Sequence, residues 1–213
     1  DLLTSWAFEM EMLVLGWYVL VTSDSVILLT AFGALGFLGT LVSPVFGMLG
    51  DRLGRRTILC FMRAYYAALA AITMTLGMNE ALTPYFVLGI ALFSGLVRSS
   101  DLVMRNSLLG DTMPSEHLVR GIGLARTTQD TARIAGAIAG AGLFAAIGIG
   151  NTYAVVTVFY VAAFMFSLGV VRSHRREEVA SRWRDLKDGF LYIWNTPKLL
   201  ALMWLAFLIN FAA

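Results

Sequence analysis

The chain has 213 residues, of which 58% are hydrophobic and only 14% are charged. Soluble domains carry roughly 25% charged residues, so this composition excludes a soluble globular domain. The formal net charge is only +2, and the single cysteine, Cys60, excludes an intrachain disulfide framework. The composition therefore predicts a membrane protein of the all-α class.

Six apolar segments are long enough to cross a bilayer, which takes about 20 apolar residues in a helix. In chain order these segments are 6–22, 26–46, 57–78, 84–104, 131–149 and 152–171. A seventh begins near Leu199 and is still apolar at Ala213. Because the first residue is Asp1 rather than methionine, we expect the sequence to be trimmed at both ends.

The basic residues are distributed asymmetrically between the two sides of the predicted bundle. The short links 23–25, 79–83 and 150–151 contain no Lys or Arg, and all 16 basic residues lie in the alternate loops or toward the same helix ends. Loops rich in Lys and Arg face the cytoplasm. We therefore expect a multi-pass protein of the inner (plasma) membrane, in contact with lipid, with a cytoplasmic amino terminus and no nucleic-acid partner.

The only long polar segment, 172–198, divides the chain into predicted domains. Its apolar residues recur at helical spacing between charged ones, which indicates an amphipathic helix on the inner membrane surface. A partner-binding helix is the alternative. We predict a six-helix transmembrane bundle over 1–171, a cytoplasmic linker over 172–198, and the start of a seventh transmembrane helix over 199–213.

A charged run, GMLGDRLGRR, occupies residues 47–56 between the second and third spans. A tight hairpin needs glycine where the backbone turns or touches, and arginine keeps a loop on the cytoplasmic side. The run resembles the loop between helices 2 and 3 of the major facilitator superfamily, G-x-L-[AG]-D-R-x-G-R-[RK], and all eight specified positions are met.

This resemblance implies a secondary transporter, and it covers essentially the whole chain. Six helices, a linker and a seventh helix are the layout of the amino-terminal half of a twelve-helix major facilitator protein. In that family two bundles are related by a two-fold axis and the substrate sits between them. We therefore expect transport to require a carboxy-terminal half or a second copy of the chain. The runs 16–20 and 188–192 resemble the bacterial branch of siderophore and drug exporters.

The resemblance also assigns a gating role to the charged run. The residues concerned are Gly47, Gly50, Asp51, Arg52, Gly54, Arg55 and Arg56. In the family the Asp of this loop meets the second bundle and helps to latch the outward-open state. The arginines pair with carboxylates near helix 4, for which Asp101 or Asp111 is the candidate here. The alternative is that the arginines only cap and anchor a cytoplasmic hairpin.

Ionisable residues within the spans are a second signal, since they are costly in a membrane and mark pathways or internal pairs. Glu9 lies about 20 Å and Arg98 about 21 Å from the outer ends of their helices, at about 1.5 Å per residue. We hypothesise that Glu9 pairs with Arg98 in a substrate or proton path that also includes Asp101. A static pair, or side chains that snorkel to the headgroups, is the alternative. Glu11 points some 200° away from Glu9, so we do not expect the two to share a cavity.

The fifth span begins with a charged face and continues with small residues. Asp130 can bridge Arg126 and Arg133 at helical spacing. Either these form an interfacial ladder, or Arg133 faces the cavity and attracts an anionic group of the substrate. Gly136 and Gly140 form a stripe that allows close helix packing.

The small residues of the fifth span resemble the family's antiporter signature, Gly-Pro-x-x-Gly-Gly, but Ala137 and Ala141 replace the proline and one glycine. We expect this stripe and the glycines of the second span, Gly33, Gly36 and Gly39, to serve the interface with the opposite bundle.

The leading functional prediction is the amino-terminal half of a proton-coupled exporter of a small molecule. An importer or uniporter of the same superfamily is the alternative, since the proline is missing. A seven-helix retinal-type receptor is a distant one, because it needs a lysine within the seventh span. No Ser–His or His-Glu-x-x-His arrangement supports an enzyme, and His117 and His174 lie in predicted loops, so we expect no metal and no cofactor.

Overall fold

The computed structural model describes residues 2–112 and 115–169. Every element in this part is an α-helix: α1 (Leu2–Ser23), α2 (Val26–Phe37), α3 (Gly39–Leu53), α4 (Arg55–Met78), α5 (Pro84–Thr112) and α6 (Ser115–Leu168). The all-α prediction is thus confirmed over the described residues. The predicted linker, 172–198, and the predicted start of a seventh helix, 199–213, lie outside them.

The helices cover the predicted spans, but two of them extend well beyond: α5 continues to Thr112, and α6 begins at Ser115, 16 residues before the predicted start at 131, so that His117 lies in a helix and not in a loop. α1, α4 and α5 each cover one span, while α2 and α3 together cover the second. The two helices are separated by a break at Leu38. The N–H of Leu38 bonds to the carbonyl of Leu35 at 3.2 Å, three residues back instead of the four of an α-helix. By length and composition, three described helices qualify as membrane-crossing: Arg55–Met78, Pro84–Leu108 and His117–Leu168. The count of six spans stays a prediction.

α6 is a hairpin of two helical arms joined at Gly148. Gly148 has φ 75° and ψ 176°, a conformation that side-chain-bearing residues rarely adopt. Gly140 lies against Met10, and Tyr160 contacts the next residue, Glu11. In a straight helix Gly140 and Tyr160 would be about 30 Å apart, so the chain must fold back between them. We call 115–147 the first arm and 149–168 the second arm.

The second arm of α6 packs antiparallel to α4. At one end Arg56 donates a hydrogen bond to the carbonyl of Leu168, and at the other end Gly77 lies against Gly150. α1 occupies the centre of the bundle, because it contacts both arms of α6 as well as α2 and α5. Its buried apolar residues join one core with those of α4, α5 and the second arm.

Large apolar side chains also cover the outside of the bundle. Ile27 is 81% exposed, and Tyr85 and Phe166 are more than 70% exposed. A soluble protein rarely presents apolar surface over such an extent. Lipid is the environment in which these side chains are stable, so the surface agrees with a membrane location.

The closest helix contact lies between α5 and the junction of α2 with α3. A Cβ placed on Gly39 would lie 1.9 Å from the carbonyl oxygen of Gly95, and a Cβ on Gly95 would lie 2.5 Å from that of Leu35. The helices therefore cross backbone against backbone, which only glycine permits. Beside the crossing, the hydroxyls of Thr40 and Ser99 are 3.1 Å apart.

We predict that Gly95→Ala lowers the free energy of unfolding by about 1–3 kcal/mol, because the added methyl forces the two helices apart. Gly89→Ala is the matched control, since it lies on the same helix with nothing within 4 Å of its added Cβ. Denaturant titration of the purified protein in detergent measures both. Equal stability of the two variants would contradict the close crossing.

Candidate functional site

A carboxylate in the centre of the bundle connects three helices. Glu11 of α1 is only 5% exposed, and one of its oxygens accepts a hydrogen bond from the Tyr160 hydroxyl at 2.8 Å. The Tyr160 ring stacks on Tyr66 of α4, with centroids 5.5 Å apart and an interplanar angle of 25°. α1, α4 and the second arm of α6 therefore meet at this point.

A second tyrosine of the same arm has a different environment. Tyr153 lies two helical turns before Tyr160, on the same face of the arm, and is completely buried. Its hydroxyl has no hydrogen-bond partner within the described part of the chain. It does lie close enough to Glu11 for the two groups to interact electrostatically.

Arg98 of α5 lies beside Glu11. Its guanidinium carbon is 3.6 Å from the centroid of the Phe8 ring, a cation–π contact. Glu9 and Glu11 both lie close enough to Arg98 to interact with it electrostatically. The described side chains of Glu9 and Arg98 form no direct ion pair, so the hypothesised pairing is not what the structure shows. Glu11 and Arg98 line the same small cavity and Glu9 does not, in keeping with the expectation that the two glutamates do not share one cavity.

A second buried polar centre surrounds Asp101. Its carboxylate is 3.3 Å from Arg63 of α4 and 3.6 Å from Arg105. Arg105 also donates to the hydroxyl of Ser5 on α1 at 3.3 Å. The expected pairing of Asp101 with the hairpin arginines is therefore not what the structure shows, because the Asp101 carboxylate lies between Arg63 and Arg105. The side chain of Asp111, the other candidate, lies outside the described part.

The charged hairpin contains a single non-helical residue. α3 continues to Leu53 and α4 begins at Arg55, so Gly54 alone makes the turn, with φ 90° and ψ 129°. Gly50 is buried against α5, where an added Cβ would lie 2.6 Å from the sulfur of Met104. The side chains of Asp51 and Arg52, and the surroundings of Gly47, lie outside the described part.

The last two arginines of the hairpin bind backbone carbonyls. Arg55 donates to the carbonyl of Ser107 at 3.4 Å, and Arg56 donates to that of Leu168, the last residue of α6. Leu168 lies at the end of its helix, where carbonyls lack intrahelical donors and attract positive charge. Among the described contacts, Arg56 thus stabilises the end of α6, while Arg55 links α4 to α5 five residues before α5 ends.

The predicted residues of the first arm of α6 divide into an exposed and a packed group. Arg133 is exposed, and Arg126 and Asp130 form an exposed pair at 3.8 Å. Gly136 and Gly140 lie against α1, where added Cβ atoms would approach Trp6 and Met10 to 3.2 and 3.0 Å. The glycine stripe of this arm therefore packs inside its own bundle.

Among the described glycines of the second span, Gly36 also packs within the bundle, against Gly95, while Gly33 has open space around it. Residues 2–112 and 115–169 bring no three His, Cys, Asp or Glu side chains together in a way that would hold a metal.

Comparison with known families decides the class of the protein. The family model of the Major Facilitator Superfamily matches residues 3–213, nearly the whole chain. The chain belongs to the major facilitator superfamily. Members of this superfamily are membrane transporters, so the resemblance seen in the charged run is confirmed at this level. A search of curated proteins gave no match.

In this superfamily member, sequence reasoning missed most partners in the two polar centres. Arg63 could have been found, since it is an ionisable residue inside the predicted span 57–78, which is the signal that selected Arg98. Arg105 lies one residue beyond a predicted span and escaped that criterion. Tyr66 and Tyr160 carried no signal, because tyrosine is an ordinary residue in membrane helices.

Removal of the Asp101 charge should destabilise the bundle. Asp101→Asn leaves Arg63 and Arg105 without the carboxylate that lies between them, and breaking a buried pair typically costs about 3–5 kcal/mol. Asp130→Asn is the matched control: its partner Arg126 is exposed, and such pairs contribute about 0–1 kcal/mol. Denaturant titration in detergent compares them, and similar losses would argue against a structural role for the Asp101 centre.

The two tyrosines of the second arm provide a further matched pair. Tyr160→Phe should cost about 1.5–3 kcal/mol, the usual contribution of a hydrogen bond to a charged group. Tyr153→Phe should be neutral or slightly stabilising, because it removes a buried hydroxyl that has no partner. The prediction fails if the order of the two thermal midpoints is reversed.

Proposed function

We propose that this chain forms the amino-terminal bundle of a secondary transporter that exports a small molecule by alternating access and is coupled to protons. The observation that carries the proposal is the polar centre of Glu9, Glu11 and Arg98 within apolar helices, in which Glu11 is buried and the other two side chains are half-buried. A bundle with only a structural role would not need these groups, because well-packed apolar residues often replace buried charges without loss of stability.

Coupling to protons requires a group that exists in a charged and a neutral form, and a carboxylate can do this. Glu9 and Glu11 both qualify, since each interacts electrostatically with Arg98. Protonation of either carboxylate would weaken its attraction for the arginine. In this proposal that change alters how α1 and α5 hold together, and so biases one state of the transporter over the other.

The remaining parts of the proposal concern assembly and orientation. The hairpin, with Asp51 and Arg52, faces the cytoplasm and contacts the second bundle in the outward-open state. That second bundle is a carboxy-terminal half or a second copy. The protein lies in the inner (plasma) membrane with a cytoplasmic amino terminus, and the substrate binds between the bundles.

An importer or uniporter of the same superfamily is the second candidate. The specific observation in its favour is Ala137, which stands where the antiporter signature has proline. The first arm of α6 continues through Ala137 as regular helix, so the kink that a proline introduces is absent from this position.

Transport by the complete transporter, this chain together with its second bundle, is measured in proteoliposomes with and without a pH gradient and tests the proposal. Siderophores, lipophilic cations and small sugars serve as the substrate panel. We expect gradient-driven export by the wild type, and a loss of at least tenfold in Glu9→Gln, Glu11→Gln or both. Asp130→Asn, an exposed carboxylate, should retain it. Exchange that does not depend on the gradient and is unchanged in both glutamine variants would favour the uniporter. No transport of any substrate would contradict the proposal.

A further inference from the structure

A small cavity lies between α1, α2 and α5, next to Glu11. Its accessible volume is about 10 Å³, which is at the lower limit of what one water molecule needs. Three polar side chains contribute to its wall, namely Glu11, Ser94 and Arg98. The rest of the wall is apolar and includes Phe8 and Phe32.

Each of the three polar groups has hydrogen-bonding capacity left. Tyr160 occupies one oxygen of Glu11, and a carboxylate can accept several hydrogen bonds. Ser94 donates its own proton to the carbonyl of Ala91 at 3.3 Å, so its hydroxyl oxygen can still accept. Arg98 stacks on Phe8 through the face of its guanidinium, which leaves the N–H donors at the edge.

We propose that this cavity holds one water molecule that bridges Arg98, Glu11 and Ser94. The water accepts a hydrogen bond from Arg98 and donates its two protons to the Glu11 carboxylate and the Ser94 oxygen. Three hydrogen bonds are the usual number for a buried water. Glu11 forms no direct ion pair with Arg98, so in this proposal the water connects the two charged groups.

The alternatives to water fit this cavity less well. A cavity without polar groups stays dry, whereas this one has a charge of each sign on its wall. A metal cation would lie beside the positive Arg98 and would be repelled by it. A larger organic group exceeds the volume. Water is the molecule that satisfies both the donor and the acceptors.

The bridge would make one continuous polar chain from the second arm of α6 to α5, through Tyr160, Glu11, the water and Arg98. The presence of the water does not depend on transport. Its part in coupling rests on the proposed function. A water between the two groups would let Glu11 gain or lose a proton without leaving an unsolvated charge in the apolar core.

The experiment is a structure of the protein in lipid at a resolution that shows ordered water, combined with cavity variants. We expect one density peak within hydrogen-bond distance of Glu11, Ser94 and Arg98 in the wild type, and a weakened or lost peak in Ser94→Ala. An empty cavity, or a direct contact between Glu11 and Arg98, would overturn the proposal.

Ala91→Val supplies a test that does not rely on density, because Ala91 lines the cavity. If a bound water is displaced, its three hydrogen bonds are lost and the thermal midpoint falls below that of the wild type. If the cavity is empty, the new methyl groups fill a void and the midpoint stays equal or rises, which would contradict the proposal.

Ser94→Ala separates loss of the water from overpacking, because it adds no volume. Ser94→Ala also removes the hydrogen bond to the Ala91 carbonyl, so its control is Ser167→Ala, which loses a similar bond to the carbonyl of Ala163. A lower midpoint in Ala91→Val, together with a larger loss in Ser94→Ala than in Ser167→Ala, supports the bridge, and a loss in Ala91→Val alone counts against it. Gradient-driven transport is measured in the same variants. Failure of the wild type to transport would contradict the proposed function, while the density and the midpoints would still decide whether the water exists.

Discussion

The high cost of an uncompensated charge away from water constrains this bundle more than any other factor. Glu11 has one direct hydrogen bond, from Tyr160, and Asp101 faces two arginines, so each carboxylate can be accommodated only if particular helices meet around it. Apolar packing alone is tolerant of helix rotation, since one apolar face resembles another. Each charged group needs a particular partner, so these groups fix the rotation of α1 and α5 about their axes.

Backbone contacts set the distances that the polar groups require. Where Gly39 meets Gly95, and where Gly140 meets Met10, the helix backbones approach as closely as atoms permit. Between α1 and α5 the longer side chain of Arg105 spans the gap to the hydroxyl of Ser5. Two hairpin arginines act near the ends of α5 and α6, where Arg55 binds the carbonyl of Ser107 and Arg56 that of Leu168. Close crossings in the middle and arginine contacts at the ends together hold the helix ends in register.

The sequence was sufficient to predict the helices, the tight hairpin and the superfamily, because each has a local signal: apolar length, a glycine at a turn, a ten-residue pattern. The partners in the polar centres have no local signal. Helical periodicity places Glu11 about 200° from Glu9, and Glu11 does line a cavity that Glu9 does not. Periodicity could not give the partner of either side chain, because α1 contacts several helices and both directions lead toward a neighbour. Likewise, the turn within α6 lies at Gly148, two residues before the predicted link, since several neighbouring glycines could form such a turn.

The two polar centres are separate in their contacts but share helices. Arg98 and Asp101 lie three residues apart on α5, which places them on the same side of that helix. On α1, Ser5 belongs to one centre and Glu11 to the other. A shift of α5 that changes the position of Arg98 relative to Glu11 must therefore also move Asp101 relative to Arg63. Because that second centre tolerates little displacement of its charges, it limits how far α5 can move when the interaction between Glu11 and Arg98 changes in the proposed cycle.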